Sequence, residues 1–239
     1  MLYLRIYKIF NLLYNHFFII YKPLYFIYKN IFEKKQIVLL KNKVKPGMNV
    51  LDIGANIGFY SLLISKLVGE SGRVYSFEPD KLNYKYLKQN TNKVKNIIPI
   101  NAAVGAINGT TKLYISQELN VDHHTYDIGE KREYTSIKLV TIDDYFKDEV
   151  KFNVIKLDIQ GYDYYAVLGM IKTIKKSKNV LLVGEYWPYG LKKAGVNPKE
   201  YLSLIKKIGF KITFYEKEAI KNKDEKLNYK DFYAVKGSI

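Results

Sequence analysis

Two acids and two glycines stand where this chain could do chemistry on a small ligand. The stretch Val50-Leu51-Asp52-Ile53-Gly54-Ala55-Asn56-Ile57-Gly58-Phe59-Tyr60 is an apolar run that ends in an acid, turns through glycines and enters a helix-forming segment. Gly54 allows a sharp turn with no Cβ between backbone and ligand. Gly58 is expected to let the following helix pack closely on the strand. A ligand then belongs outside the carboxyl end of that strand, as in open α/β sheets. A second acid, Glu78 in Tyr75-Ser76-Phe77-Glu78-Pro79, ends the next strand twenty residues after Gly58. A carboxylate there can accept hydrogen bonds from ribose hydroxyls.

The spacing discriminates between ligands. A dinucleotide site needs G-x-G-x-x-G, where bare helix N–H groups meet a pyrophosphate. This chain reads Asp52-x-Gly54-x-Asn56-x-Gly58, without the middle glycine and with a carboxylate at the strand end. A carboxylate repels pyrophosphate and attracts a sulfonium or an ammonium, and S-adenosylmethionine (SAM) carries both. SAM is therefore the expected cofactor, with Asp52, Gly54, Asn56, Gly58, Glu78 and Asn101 as its candidate ligands. Helix capping is the plain alternative for Asp52 and Glu78, and their place at strand ends beside a glycine turn argues against it.

Methyl transfer to a hydroxyl requires alignment and removal of a proton. Asp158, at the end of the fourth strand, is one candidate base. The other is His123 in Asn120-Val121-Asp122-His123-His124-Thr125-Tyr126, with Asp122 placed to orient it. The plain alternative makes both histidines surface loop residues. Glu185 ends the fifth strand on the same rim, followed by Tyr186, Trp187 and Tyr189. Glu185 and Trp187 are candidate acceptor contacts, since aromatic rings at a rim stack on sugars, although such rings also simply close a core.

These residues require a particular scaffold. Strand patterns at 49–53, 73–77, 97–101, 154–157, 180–183, 211–215 and 232–235 alternate with helical patterns at 60–67, 82–90, 164–175 and 198–208. Alternation of this kind predicts a doubly wound α/β fold, a mostly parallel sheet with helices on both faces. The last two strands read as an antiparallel pair at the edge. Between the third and fourth strands, 111–115 and 136–140 read as a hairpin in a polar insertion.

Composition adds bounds. The chain has 239 residues, no cysteine and three histidines, which excludes disulfides and argues against any metal site. The net charge is +16, and residues 1–45 carry nine Lys or Arg against Glu33 alone. Ten of the first thirty residues are Tyr or Phe, and Tyr3, Tyr7, Phe10, Tyr14, Phe17 and Tyr21 share one helical face. Pro23 is expected to end or kink that helix near residues 21–22. The longest uncharged run, 9–21, is thirteen residues, short of the ~20 a span needs. The chain thus divides into a basic aromatic helical arm, 1–45, and a catalytic domain, 46–239. Residues 1–30 are expected to lie on an anionic membrane face or to pack on protein, with a cytoplasmic protein held peripherally in the first case. Because the glycine turn begins beyond Pro46, residues 1–30 are expected to be dispensable for cofactor binding.

The order of 50–60, Phe77-Glu78-Pro79, Ala103-Val104-Gly105, Thr141-Ile142-Asp143-Asp144 and Lys156-Leu157-Asp158-Ile159-Gln160-Gly161 resembles the FkbM family of methyltransferases over about 45–210. The resemblance implies a Rossmann-like, seven-stranded SAM-binding sheet and transfer to oxygen on sugars, polyketides or other secondary metabolites. It also supports an active-site loop at 120–124, where some members carry a similar Asn-x-x-Asp-His segment. One departure stands out. The family's D-x-E-G-x-E becomes Asp158-Ile159-Gln160-Gly161-Tyr162-Asp163, so an amide replaces a carboxylate at Gln160, a further candidate acceptor contact. The leading expectation is O-methylation of a glycan, glycolipid or small metabolite. The alternatives are a SAM-binding, membrane-tethered protein with impaired catalysis, and an RNA methyltransferase. Against RNA, the basic excess concentrates in the arm and no RNA-binding module is visible.

Overall fold

A computed structural model describes residues 2–116, 122–147, 149–215 and 224–238, with side chains from residue 9 onward except that of Leu227. Three helices come first: α1 (Leu2–His16), α2 (Phe18–Phe32) and α3 (Lys34–Lys43). Then follow β1 (Asn49–Ile53), α4 (Phe59–Val68), β2 (Arg73–Phe77), α5 (Lys81–Thr91) and β3 (Ile97–Ile100). The insertion holds β4 (Ala103–Val104), β5 (Gly109–Tyr114) and β6 (Tyr134–Val140), ending in α6 (Ile142–Phe146). The second half comprises β7 (Val154–Leu157), α7 (Asp163–Leu168), α8 (Ile171–Lys176), β8 (Val180–Tyr186), α9 (Pro188–Lys193), α10 (Pro198–Lys207), β9 (Lys211–Phe214) and β10 (Lys230–Lys236).

Seven strands form one sheet in the order β3-β2-β1-β7-β8-β10-β9. The first five are parallel, and β10 runs antiparallel between β8 and β9. The order reverses between β1 and β7, so a crevice opens beyond their carboxyl ends. The predicted hairpin is present as β5 and β6 in a separate three-stranded sheet. Period-two alternation divides the side chains: Leu51, Ile53 and Leu157 join the core under α6–α10, and Val50, Val74 and Val154 join the core under α1–α5.

Two predicted helix boundaries are corrected. Pro23 does not end a helix; it sits inside α2, and the break falls at Phe17 instead, the residue between α1 and α2. The 164–175 helix is two helices, α7 and α8, separated at Gly169. A Cβ on Gly169 would lie 1.9 Å from the Gly105 carbonyl oxygen, so the insertion's first turn presses against the chain there.

The arm packs on the sheet. Tyr14, Tyr21, Tyr25, Ile37, Leu40 and Val44 are buried in the same core as Val50, Ile64, Val154 and Val183. Each such side chain contributes about 1.5–3 kcal/mol by leaving water. Tyr14 also donates its hydroxyl to Asn83 Oδ1 at 2.6 Å. Among the described residues, no helix is long and apolar enough to cross a membrane. The side chains of Tyr3 and Tyr7 lie outside the described residues.

Candidate active site

The carboxyl ends of β1, β2, β7 and β8 line a cleft of about 430 Å³, closed on one side by α2 and on another by the insertion. Its floor is the turn from Gly54 to Gly58. Gly54 has φ +82°, and a Cβ there would come 1.9 Å from the Asp158 carbonyl oxygen. Gly58 has φ +92°, and its Cβ would meet Leu87 of α5 at 2.9 Å, so its tight neighbour is that helix and not the strand.

Every N–H of this turn is already used inside the protein. Those of Gly54 and Ala55 donate to the Phe77 carbonyl, each at 3.0 Å, and that of Gly58 to the Ala55 carbonyl at 2.8 Å. The Asn56 N–H donates to Glu78 Oε2 and the Ile57 N–H to Asn56 Oδ1, both at 2.8 Å. A pyrophosphate cradle depends on free N–H groups at this point. This turn offers none, which independently disfavours a dinucleotide.

Glu78 lines the cleft with its carboxylate fixed from behind: Oε2 by Asn56 and Oε1 by the Asp80 N–H at 3.0 Å. Burial pushes its pKa up to about 8, against the pull of those backbone hydrogen bonds. Its remaining lone pairs suit vicinal hydroxyls. The buried Asn83, held by Tyr14 of the arm, stands beside it on the same wall.

Two expected cofactor ligands lie elsewhere. Asp52 is fully buried behind the turn, where Oδ2 accepts from Ser61 Oγ at 2.7 Å, and it forms no part of the cleft wall. The side-chain period explains this, because residues on either side of Asp52 in the strand face the opposite way. Asn101 is a clip: its Nδ2 donates to the carbonyls of Glu78 at 2.9 Å and Pro79 at 3.1 Å, away from the cleft.

The acceptor side is also rearranged. His123 lines the cleft, but its Nδ1 accepts the Ser116 N–H at 3.1 Å. In the neutral ring the proton then sits on Nε2, so His123 presents a donor and not a base. Burial, outweighing neighbouring acids, holds its pKa below the ordinary histidine value, which keeps it in that form. Asp122 does not orient His123. It takes Nε2 of His124 at 2.9 Å and pairs with Arg132 at 2.6 Å. His124 is buried, and its other ring nitrogen faces the Gln160 carbonyl at 3.3 Å, so it ties the insertion to the loop after β7. Asn120 and Val121 lie outside the described residues.

Asp158 stands at the end of β7 with its side chain one-third exposed to the cleft. Burial alone would raise its pKa, but Lys156 at 3.3 Å and Lys29 outweigh it and hold the carboxyl below the usual range. Gln160 donates its amide to Asp158 Oδ1 at 3.3 Å. Gln160 has φ +54° and Asn56 φ +48°, and both line the cleft. Left-handed backbone at non-glycine residues costs about 1–3 kcal/mol and concentrates at functional sites. Tyr126 and His124 both bind the Gln160 carbonyl and so keep the loop in this state. Asp163 accepts the Gly161 N–H at 3.0 Å, and burial raises its pKa to about 7.

Glu185 and Trp187 lie on the opposite wall. Burial, reinforced by Asp158 and Asp231, raises the Glu185 pKa well above the ordinary carboxylate value. Trp187 donates its Nε1 to the Lys226 carbonyl at 2.8 Å, and its ring fills the space a Cβ on Gly190 would need.

The arm supplies residues to which no sequence motif pointed. Tyr25, Tyr28, Lys29 and Glu33 line the cleft. Lys29 pairs with Glu33, the Tyr60 hydroxyl donates to Glu33 Oε2 at 2.5 Å, and Gln36 donates to Asp231 at 2.7 Å. Removing residues 1–30, expected to be dispensable for binding, would take Tyr25, Tyr28 and Lys29 from the cleft wall and the Tyr14 hydroxyl from Asn83. A lysine, Lys29, within a largely aromatic and apolar helix was the available clue.

The family model described as the Methyltransferase FkbM domain matches residues 52–212. A probable cobalt-precorrin-6B C(15)-methyltransferase (decarboxylating) from Saccharolobus solfataricus is 35% identical over 81 residues, which are 33% of this chain and 41% of that protein. The chain thus spans about two-fifths of that curated relative's length. The methyltransferase FkbM of Methylobacillus flagellatus superposes with a TM-score of 0.49 and 18% identity over 79% of this chain and 43% of that one. A putative rRNA-methylase from Clostridium thermocellum superposes with a TM-score of 0.57 and 12% identity, over 86% of this chain and 95% of that one, a likeness of fold.

Proposed function

We propose that this chain, which belongs to the FkbM family of SAM-dependent methyltransferases, methylates a hydroxyl oxygen of a glycan, glycolipid or other small hydroxylated metabolite. The observation that carries the reading is Asp158, an ionised carboxylate at the end of β7, facing the cleft and steadied by Lys156 and Gln160. The other cleft groups are otherwise engaged. The lone pair of His123 Nδ1 is taken, Asp122 is held by His124 and Arg132, and burial disfavours the charged form of Glu185. Asp158 is thus the group that receives the acceptor's proton.

The cleft fits SAM. Glu78 and Asn83 would hold the ribose, and the Gly54–Gly58 turn leaves no anion site. Bound SAM supplies an electrophilic methyl group on a sulfonium. On the protein's side, Asp158 draws the hydroxyl proton as the oxygen becomes nucleophilic, and Nε2–H of His123 and the Glu185 side chain orient the acceptor by hydrogen bonds. Gln160 favours an active enzyme, because its amide supports the Asp158 carboxylate where a second acid would compete for its charge. Mass spectrometry of glycan and lipid extracts from cells with and without the gene tests the acceptor class. Loss of a methyl mark from a hydroxylated product supports the reading, and a mark lost only from RNA overturns it.

The Glu78 pKa gives a pH test. Ribose hydroxyls donate more strongly to the carboxylate than to the neutral acid. SAM affinity is therefore expected to rise as pH increases through about 8. Calorimetry between roughly pH 6 and 9 should show it, and Glu78→Gln should flatten the dependence and weaken binding by about 1–3 kcal/mol.

A further inference from the structure

The side of α2 turned to solvent is almost wholly apolar. Ile19 is 89% exposed, Ile27 57%, Ile31 62% and Phe32 70%, with Ile20 and Leu24 between them. The helix's two lysines are turned inward: Lys22 lies over the Phe26 ring and Lys29 is paired with Glu33. Soluble proteins seldom leave so continuous an apolar face uncovered, and such a face marks an interaction surface.

Charge identifies the occupant. Residues 1–45 carry nine Lys or Arg and one acid, and that acid, Glu33, is consumed by Lys29 and Tyr60. Lys34 and Lys35 are exposed immediately beyond the apolar helix. An apolar helical face with basic flanks and no exposed acid matches an anionic lipid surface, where side chains enter the acyl boundary and ammonium groups reach phosphates.

The same face runs into the active-site mouth. Tyr28 lines the cleft, is half exposed, and packs its ring against Phe32 with centroids 4.6 Å apart. Tyr229, also half exposed, stands on the same rim. We infer that α2 docks the protein on an anionic bilayer with the cleft mouth at headgroup level, so that the acceptor is the hydroxylated headgroup of a membrane amphiphile. The substrate part of this inference rests on the methyltransferase reading; the docking part does not.

The test is flotation of the full chain with phosphatidylcholine vesicles containing phosphatidylglycerol, against vesicles of phosphatidylcholine alone. SAM binding is followed in parallel by calorimetry. The native chain is expected to float with anionic vesicles and to be released by high salt. The variant Ile19→Glu/Ile27→Glu/Ile31→Glu should lose at least about tenfold in the floated fraction while binding SAM as before, since these side chains face solvent and touch no part of the cleft. A native chain that stays in the dense fraction with both vesicle types overturns the docking. So does a chain that sediments as a dimer and is made monomeric by the same substitutions, which would assign the face to a second copy. Flotation without SAM binding in the native chain would leave the docking standing and overturn the methyltransferase reading.

Discussion

Gly54→Ala is expected to abolish measurable SAM binding and to lower the free energy of unfolding by roughly 2–5 kcal/mol. The alanine would have to adopt φ +82°, a conformation that L residues rarely accept. Its methyl would also lie 1.9 Å from the Asp158 carbonyl oxygen and 3.1 Å from Ile159 Cγ2. Backbone on both sides is fixed, because the Asp158 N–H donates to the Ile53 carbonyl at 3.1 Å and the Gly54 N–H to Phe77. Relief requires β1 and β7 to part at the point where the cleft begins, which moves Asp158 and the turn together. Gly69→Ala is the control. Gly69 also has positive φ, +64°, but nothing lies within 4 Å of the place its methyl would take, so it isolates the backbone contribution. Urea denaturation and calorimetry on both variants separate the two terms. If Gly54→Ala is no less stable than Gly69→Ala and binds SAM normally, the close approach of β7 to the turn is not what demands glycine.

What is legible in the sequence follows the range of the interactions. The seven strands and the position of the glycine turn are legible because alternation and turn chemistry act over a few residues. The hairpin of the insertion is legible for the same reason. The helix break at Phe17 is not, since tertiary packing of Tyr14, Tyr21 and Tyr25 on the sheet decides where the arm bends. Nor is the direction of Asp52: a strand-end acid beside a glycine turn looks like a ligand, and only the facing Ser61 shows that it is buried. The conformation of the insertion's loop decides the rest. His123 loses its basic lone pair to the Ser116 backbone, and Asp122 is drawn to His124 by a loop geometry that adjacency in sequence does not reveal. Lys29, Glu33 and Asp158 converge from residues more than a hundred positions apart, so the arm's share in the cleft has no local pattern to announce it.

Asp158→Asn is expected to lower turnover by about 10²–10⁴-fold, the usual contribution of a positioned base, while leaving SAM affinity nearly unchanged. Asparagine keeps the shape and the hydrogen bond to Gln160 but cannot take a proton. The companion variant Gln160→Glu tests the same site through pH. Its amide now donates to Asp158 Oδ1 at 3.3 Å; a carboxylate there would place two acids in hydrogen-bond contact. Like charges that close cannot both ionise easily, so the pair would retain a proton at a pH where Asp158 alone has lost it. In the native chain Lys156 and Lys29 keep the Asp158 pKa low, and activity should hold far into acid before falling. In Gln160→Glu the acid limb of the rate profile should move to higher pH, with the greatest loss at low pH and recovery as pH rises. Single-turnover rates across pH, with the acceptor found by mass spectrometry, read both effects. A native-like rate in Asp158→Asn would remove Asp158 from the proton transfer. An acid limb unmoved by Gln160→Glu would show that the base titrating in the rate is some other group, even if Asp158→Asn were slow.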